Sequence, residues 1–86
     1  MARYTARRPD QLTARQCDVL DLVAQGRTNA EIGRLLHIAE ETVKRHVREI
    51  RFKLDARDRA HAVNEGWRLG YLGGRSLARS LTRRAG

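Results

Sequence analysis

Near the middle of the chain, apolar residues recur at helical spacing directly after a signal for the start of a helix. Thr28 followed three residues later by Glu31 is a capping-box signature, in which each side chain satisfies a backbone N–H of the first turn. Ile32, Leu35 and Leu36 then supply one apolar face. This pattern predicts a short helix over residues 29–36.

A second apolar stripe begins after a break at residues 37–38. Its members recur at spacings of four, three and four residues, and they are Val43, Val47, Ile50 and Leu54. At about 100° per residue they fall within a sector of roughly 60°. The opposite side carries Glu41, Lys44, Arg45 and Arg48. The segment around 40–54 is therefore predicted to be a helix with one packed face and one exposed, mostly cationic face.

Two helices separated by so short a turn indicate a helix-turn-helix, the arrangement whose second helix enters the DNA major groove. A more specific signature is carried by Leu12, Thr13, Arg15, Val19, Leu20, Gly26, Asn29, Glu31, Ile32, Leu36, Ile38, Thr42, Val43, Lys44, His46, Val47, Ile50, Lys53, Leu54 and Arg59. Over residues 12–72 the chain resembles the LuxR-type DNA-binding domain of bacterial transcription regulators. Three positions depart from that pattern: Gln16 stands where Glu is usual, Ala39 where a Ser or Thr cap is common, and Asp55 where Gly is common.

Two further helices are predicted to flank this motif. Thr13 can cap a helix over residues 14–25, which Gly26 ends in a left-handed conformation. Asp58 can cap a last helix over residues 59–69, which Gly70 closes. The apolar faces of these two helices consist of Val19, Leu20 and Val23 in the first and Ala60, Val63, Trp67 and Tyr71 in the last. The predicted fold class is all-α, a four-helix bundle containing a helix-turn-helix.

The formal net charge of +8 favours association with polyanions. The excess is +2 over residues 38–57, +2 over residues 1–11 and +4 over residues 75–86. We therefore divide the chain into a basic N-terminal arm (1–11), a DNA-binding domain (12–72) and a basic C-terminal tail (73–86), and we expect both ends to be flexible. A core this small stabilises the fold only marginally, so a partner is expected.

Composition and residue spacing exclude several classes of function. A single cysteine, Cys17, can form neither an internal disulfide nor a thiolate metal site, and the three histidines lack ligand-like spacing. The sequence has no Gly-rich phosphate loop and no nucleophile–base arrangement, so we expect no enzyme, no metal and no cofactor. No apolar run has the length of a signal peptide or membrane span. The expected location is the bacterial cytoplasm, at the nucleoid, with no membrane partner.

The motif and the resemblance together assign candidate DNA contacts. Lys44, Arg45 and Arg48 occupy the outward face in the first half of the second helix and are expected to read bases. Phosphate contacts are expected from Asn29, Thr42, His46, Lys53, Arg57 and Arg59. Two of these have an alternative role: His46 can pack with a hydrogen bond to backbone, and Arg59 can pair internally with an acid.

A single recognition helix contacts few base pairs, and this motif usually gains affinity and specificity when a second copy reads a related half-site. Val63, Trp67 and Tyr71 on the last helix are the predicted homodimer surface. The resulting hypothesis is a sequence-specific, double-stranded DNA-binding transcription regulator that acts as a stand-alone effector domain, with RNA polymerase as a further partner. The alternatives are a module like region 4 of a bacterial sigma factor, or a protein-interaction helix-turn-helix that binds polymerase or another regulator.

Overall fold

The computed structural model describes residues 11–73. Within that range the chain forms four helices and no strand, which confirms the all-α prediction. They are α1 (Ala14–Ala24), α2 (Asn29–Leu36), α3 (Glu40–Lys53) and α4 (Arg59–Arg68). The predicted basic arm (1–11) and basic tail (73–86) lie outside the described residues, apart from residues 11 and 73.

Side chains cap the starts of α1 and α2 in the predicted way. The Thr13 hydroxyl accepts a hydrogen bond from the Gln16 N–H at 3.1 Å, and the Gln16 side-chain oxygen accepts one from the Thr13 N–H at 3.0 Å. Thr28 and Glu31 make the same reciprocal pair at 3.1 and 2.9 Å. Each capping box satisfies backbone N–H groups that have no partner within the helix. Local sequence therefore decides where these helices begin.

The start of α3 and the turns that flank this helix are less favourable. Ala39 is the N-cap of α3 and supplies no side-chain hydrogen bond. Glu40 and Glu41 in the first turn compensate in part, since negative charge is favoured at the positive end of the helix dipole. His37, which ends α2, and Asp55, which follows α3, have left-handed backbone with φ of 61° and 54°. Left-handed backbone costs most side chains roughly 1–2 kcal/mol, so both turns carry strain that packing must offset.

Helices α1 and α3 each pack against the other three helices. The largest fully buried side chains are Val19, Leu20, Leu22, Ile32, Val43 and Ile50. Burying a side chain of this size contributes roughly 1.5–3 kcal/mol, so this interior is the main stabilising element. The predicted stripe of α3 is confirmed: Val43, Ile50 and Leu54 are buried, and Val47 packs against them while partly exposed.

A glycine inside α2 makes the tight turn of the helix-turn-helix feasible. A side-chain Cβ on Gly33 would lie 2.7 Å from the Ile38 carbonyl oxygen and 3.5 Å from the Glu40 backbone nitrogen. Both neighbours are backbone atoms, so they cannot move aside as a flexible side chain would. The absence of a side chain at Gly33 therefore lets the start of α3 approach α2 closely.

Two of the predicted apolar faces need correction. Leu35 was expected in the apolar face of α2, yet it lies at the edge of that face and is 36% exposed. In α4 the buried residues are Ala62 and Gly66, whereas Ala60 is exposed. A Cβ on Gly66 would come within 2.7 Å of the Leu20 side chain, so α4 approaches α1 through its smallest residues. A pattern of large apolar residues does not reveal such a face.

Candidate nucleic-acid interface

The outward face of α3 carries the three predicted base-reading residues. Lys44, Arg45 and Arg48 are all exposed. At about 100° per residue they project within a sector of roughly 100°, opposite the buried Val43 and Ile50. The structure thus brings the three predicted residues together on one accessible surface.

Lys44 has one partner on this surface. Its ammonium lies 3.3 Å from the Glu41 carboxylate, and the two side chains are 49% and 83% exposed. An exposed pair of this kind contributes little, with a median of about 0–1 kcal/mol, because water screens both charges. Lys44 can therefore exchange Glu41 for an acceptor on a base edge at small cost.

A buried amide anchors α3 to α1. Gln16 is only 3% exposed, and its Nε2 donates a hydrogen bond to the Glu49 carboxylate at 3.0 Å. Its Oε1 accepts a hydrogen bond from Lys53 at 2.9 Å, in addition to the capping bond from Thr13. In the sequence Gln16 stands out only as a departure from the family pattern. Its partnership with Glu49 and Lys53 was not predicted, because these residues lie 33 and 37 residues further along the chain.

Lys53 was predicted to contact phosphate, and it has two acceptors within the domain. Its ammonium donates to the Gln11 carbonyl at 3.1 Å and to the Gln16 side chain at 2.9 Å. An ammonium has three N–H donors, so one remains for another acceptor. Lys53 is half-buried, and its charge sits at the end of α3 beside the start of α1.

Two of the predicted phosphate contacts bind each other. Arg59 donates to the Asn29 side-chain oxygen at 2.8 Å and to the Arg27 carbonyl at 2.9 Å. Among the described residues its acceptors are an amide and a backbone carbonyl, so the alternative of an acidic partner for Arg59 finds no support there. The guanidinium joins the start of α4 to the start of α2, where backbone N–H groups and the helix dipole also favour an anion.

The other predicted phosphate contacts lie on or just after α3. Thr42 is half-buried in the first turn, and Arg57 is exposed in the connection to α4. His46 is half-buried, and its Nδ1 is shielded from solvent with no hydrogen-bond partner among the described residues. Burial lowers the pKa of His46 below its ordinary value, while Glu49 acts in the opposite direction. The predicted backbone hydrogen bond is thus not made by Nδ1.

The predicted dimer residues on and after α4 differ in exposure. Trp67 is 57% exposed, and one edge of its ring covers Gly73. Val63 and Tyr71 are half-buried against the core, and the Tyr71 hydroxyl accepts a 3.4 Å hydrogen bond from the Leu12 N–H. Leu69, which was not among the predicted dimer residues, is 49% exposed. Among the described residues, the exposed apolar surface of this region therefore comes mainly from Trp67 and Leu69.

Metal binding, membrane insertion and thiol chemistry have little support in the described part of the chain. Between residues 11 and 73 no group of three or more His, Cys, Asp or Glu side chains is placed to hold a metal ion. None of the four described helices has the length and hydropathy needed to cross a membrane. Cys17 is half-buried, and burial, with Asp18 and Asp21 nearby, raises the pKa of its thiol. A raised thiol pKa disfavours the reactive thiolate.

A helix-turn-helix whose second helix presents an exposed cationic face is characteristic of DNA-binding helix-turn-helix domains. Residues 10–65 match the model of the bacterial regulatory proteins of the luxR family. The chain belongs to this family, and the domain is a LuxR-type DNA-binding domain of a transcription regulator. This assignment favours the LuxR-type interpretation over the sigma-factor alternative.

Curated relatives from several bacteria share this region. The chain is 44% identical over 61 residues to the transcriptional regulatory protein DegU of Brevibacillus brevis, a match covering 71% of this chain and 26% of DegU. It is 47% identical over 54 residues to LiaR of Bacillus subtilis, covering 63% and 26%. It is 45% identical over 65 residues to the quorum sensing-dependent regulator RpaR of Rhodopseudomonas palustris, covering 76% and 27%. The chain thus spans about a quarter of the length of these relatives.

Proposed function

We propose that the domain recognises a specific double-stranded DNA sequence by inserting α3 into the major groove. The observation that carries the proposal is the exposed cluster of Lys44, Arg45 and Arg48 on the second helix of the motif. Lysine and arginine pair with the guanine O6 and N7 acceptors of the major groove, the commonest specific contact. Within the described residues Lys44 alone of the three has a side-chain partner, and that exposed pair with Glu41 is weak.

We propose that a second group of residues grips the DNA backbone. Asn29 and Arg59 meet at the start of α2, where the guanidinium and the helix N-terminus both favour an anion, and Thr42 offers a hydroxyl in the first turn of α3. Lys53, Arg57 and His46 follow along or after α3. Such contacts position a protein on the duplex without specifying sequence. Loss of one cationic contact, as in Lys53→Ala, should lower the salt slope of binding by roughly one unit on all sequences.

We also propose that two copies bind one operator through α4 and the residues that follow it. Trp67 supports this role because more than half of its large side chain is exposed, at 57%. Val63 and Tyr71 border it while packing inward, so they offer only part of their surface. The interface is small, and association is therefore expected chiefly when two half-sites hold the copies together. Cooperative binding to a two-half-site duplex that Trp67→Ala abolishes is the expected result.

The biological role that follows is a bacterial transcription regulator working at the nucleoid, with RNA polymerase as a further partner. The relatives named above are called regulators, which supports this role for the present domain. Action as a stand-alone effector domain stays a prediction. It is tested by asking whether the 86-residue chain alone binds its selected site with full sequence preference.

Selection of bound duplexes from a random pool, followed by titration in a defined salt concentration, tests the central proposal. Single changes of Lys44, Arg45 and Arg48 to Ala should each cost about 1–3 kcal/mol on the selected site and less on random duplex. Arg15→Ala and Arg34→Ala are matched controls, because each removes one exposed positive charge from α1 or α2. Those controls should affect selected and random DNA equally.

The opposite outcome would identify the alternative function. If the protein showed no salt-dependent binding to any duplex, the helix-turn-helix would be a protein-interaction module. If the triple variant of Lys44, Arg45 and Arg48 bound DNA and kept its preference for the selected site, the assignment of the base-reading residues would be wrong.

A further inference from the structure

Phe52 is the most exposed large apolar side chain in the described part of the chain. It is 86% exposed, although α3 buries Val43 and Ile50 completely. The fold makes no use of its ring, so an aromatic side chain at this position contributes nothing to the core. Any role of the Phe52 ring must therefore be a contact with something outside the domain.

The position of Phe52 continues the proposed base-reading face. Phe52 follows Arg48 by one helical turn, which corresponds to a rotation of about 40° and a rise of about 6 Å. Arg45, Arg48 and Phe52 therefore project within a sector of roughly 60°. A surface that meets a base edge at Arg48 can reach the next turn of α3 at Phe52.

The surroundings of Phe52 form a shallow depression at the end of α3. It is lined by Arg48, Arg51, Phe52, Asp55 and Ala56. Arg51 is held in place, because its guanidinium donates a hydrogen bond to the Arg57 carbonyl. The left-handed backbone at Asp55 turns the chain away directly after the helix. The ring thus sits beside cationic side chains and remains open to a flat partner.

We infer that Phe52 is a specificity-determining residue that contacts the C5-methyl group of a thymine beyond the base pairs read by Arg48. This inference rests on the proposed function of α3. When α3 lies in the major groove, the 6 Å rise from Arg48 carries Phe52 past the base pair that Arg48 contacts. The thymine methyl is the one apolar group that the major groove presents, and a phenyl ring is an apolar partner for it.

The same depression is a poor site for a phosphate. A phenyl ring donates no hydrogen bond, and the Asp55 carboxylate on the rim repels a second negative charge. Arg48 and Arg51 nevertheless give this end of α3 a positive field that attracts the DNA as a whole. A base edge therefore fits the chemistry better than the DNA backbone does.

Replacement of single thymines by deoxyuridine in the selected duplex tests the inference directly, since uracil lacks only the methyl group. Wild type should lose about fourfold in affinity at one thymine in each half-site, the effect of burying one methyl-sized group. Phe52→Ala should bind the thymine duplex about fourfold more weakly and should not distinguish thymine from uracil at that position. Phe52→Leu, which remains apolar, should retain part of the discrimination.

Leu35→Ala is the control, because it removes a partly exposed apolar side chain from α2, outside the proposed base-reading and dimer surfaces. Its overall affinity can change, but its ratio of thymine to uracil binding should equal that of wild type. Thermal unfolding followed by circular dichroism should show Phe52→Ala as stable as wild type, since the ring is exposed.

Two results would overturn the inference while leaving the proposed function intact. One is a selected site with no preferred thymine next to the bases specified by Arg48. The other is an equal thymine-to-uracil ratio for wild type and Phe52→Ala at every position, which would place Phe52 outside the DNA interface and make it available to a protein partner. Failure of wild type to prefer any sequence would instead overturn the proposed function and this inference together.

Discussion

Replacing Gln16 with alanine should destabilise the folded domain by about 2–4 kcal/mol, because three hydrogen bonds of one buried amide are lost. The bonds to Glu49 and Lys53 involve charged groups, which are worth about 1.5–3 kcal/mol each at full value. Glu49 is exposed and Lys53 keeps its bond to the Gln11 carbonyl, so both can be partly resolvated and each lost bond counts for only about 1–1.5 kcal/mol. Loss of half a capping box adds about 0.5–1 kcal/mol.

Urea unfolding followed by far-UV circular dichroism is the primary measurement. The midpoint should fall while the slope stays constant, since the surface exposed on unfolding hardly changes. DNA affinity should also fall under conditions where both proteins are folded, because a less firmly held α3 must be ordered on binding. The salt concentration must be the same in both titrations.

Exchanging the amide and the carboxylate between positions 16 and 49 distinguishes loss of this hydrogen-bond network from a general loss of packing. Gln16→Glu keeps an acceptor for Lys53 but places a second carboxylate beside that of Glu49, so it should destabilise at neutral pH by about 1–2 kcal/mol. Adding Glu49→Gln restores one amide and one carboxylate and should recover most of that loss. The reasoning is refuted if Gln16→Ala costs less than about 0.5 kcal/mol, or if the double variant is no more stable than Gln16→Glu alone.

Three further predictions concern the left-handed backbone at Asp55, the missing cap at Ala39 and the shielded side chain of His46. Asp55→Gly should raise the urea midpoint by the equivalent of about 1 kcal/mol, because Gly adopts φ of 54° without strain, and a lower midpoint would contradict this. Ala39→Ser should stabilise by about 1 kcal/mol by capping α3, whereas Ala39→Val, which cannot cap, should not. Because burial lowers the pKa of folded His46, stability should be full above its ordinary value of 6.5 and decline as pH falls through and below it. His46→Gln should remove that decline in urea titrations across this range, while His37→Gln should retain it.

Much of the secondary structure could be predicted because its signals are local. Thr13 and Thr28 each lie three residues before their capping partners, and the helix predicted over residues 29–36 has those bounds in the structure. The stripe of α3 likewise repeats within one helix, so its buried and exposed faces follow from the 3.6-residue period. The clustering of Lys44, Arg45 and Arg48 on one face needed no tertiary information.

The role of Phe52 could not be inferred so directly. Helical spacing puts it on the outward face, but an exposed apolar side chain is common on protein surfaces and carries no signal by itself. Its exposure of 86% and the depression beside Arg48 and Asp55 became apparent only once α3 and the following turn were placed together.

Local sequence signals account for the helical segments, the caps of α1 and α2 and the cationic face of α3, because hydrogen bonds and side-chain periodicity within a helix depend on neighbours three or four residues away. Helix packing, in contrast, brings Gln16 to Glu49 and Lys53, Arg59 to Asn29, and α4 to α1 through Gly66. These contacts join residues about thirty or more positions apart. Their partners depend on how closely whole helices approach, and no local pattern encodes that distance.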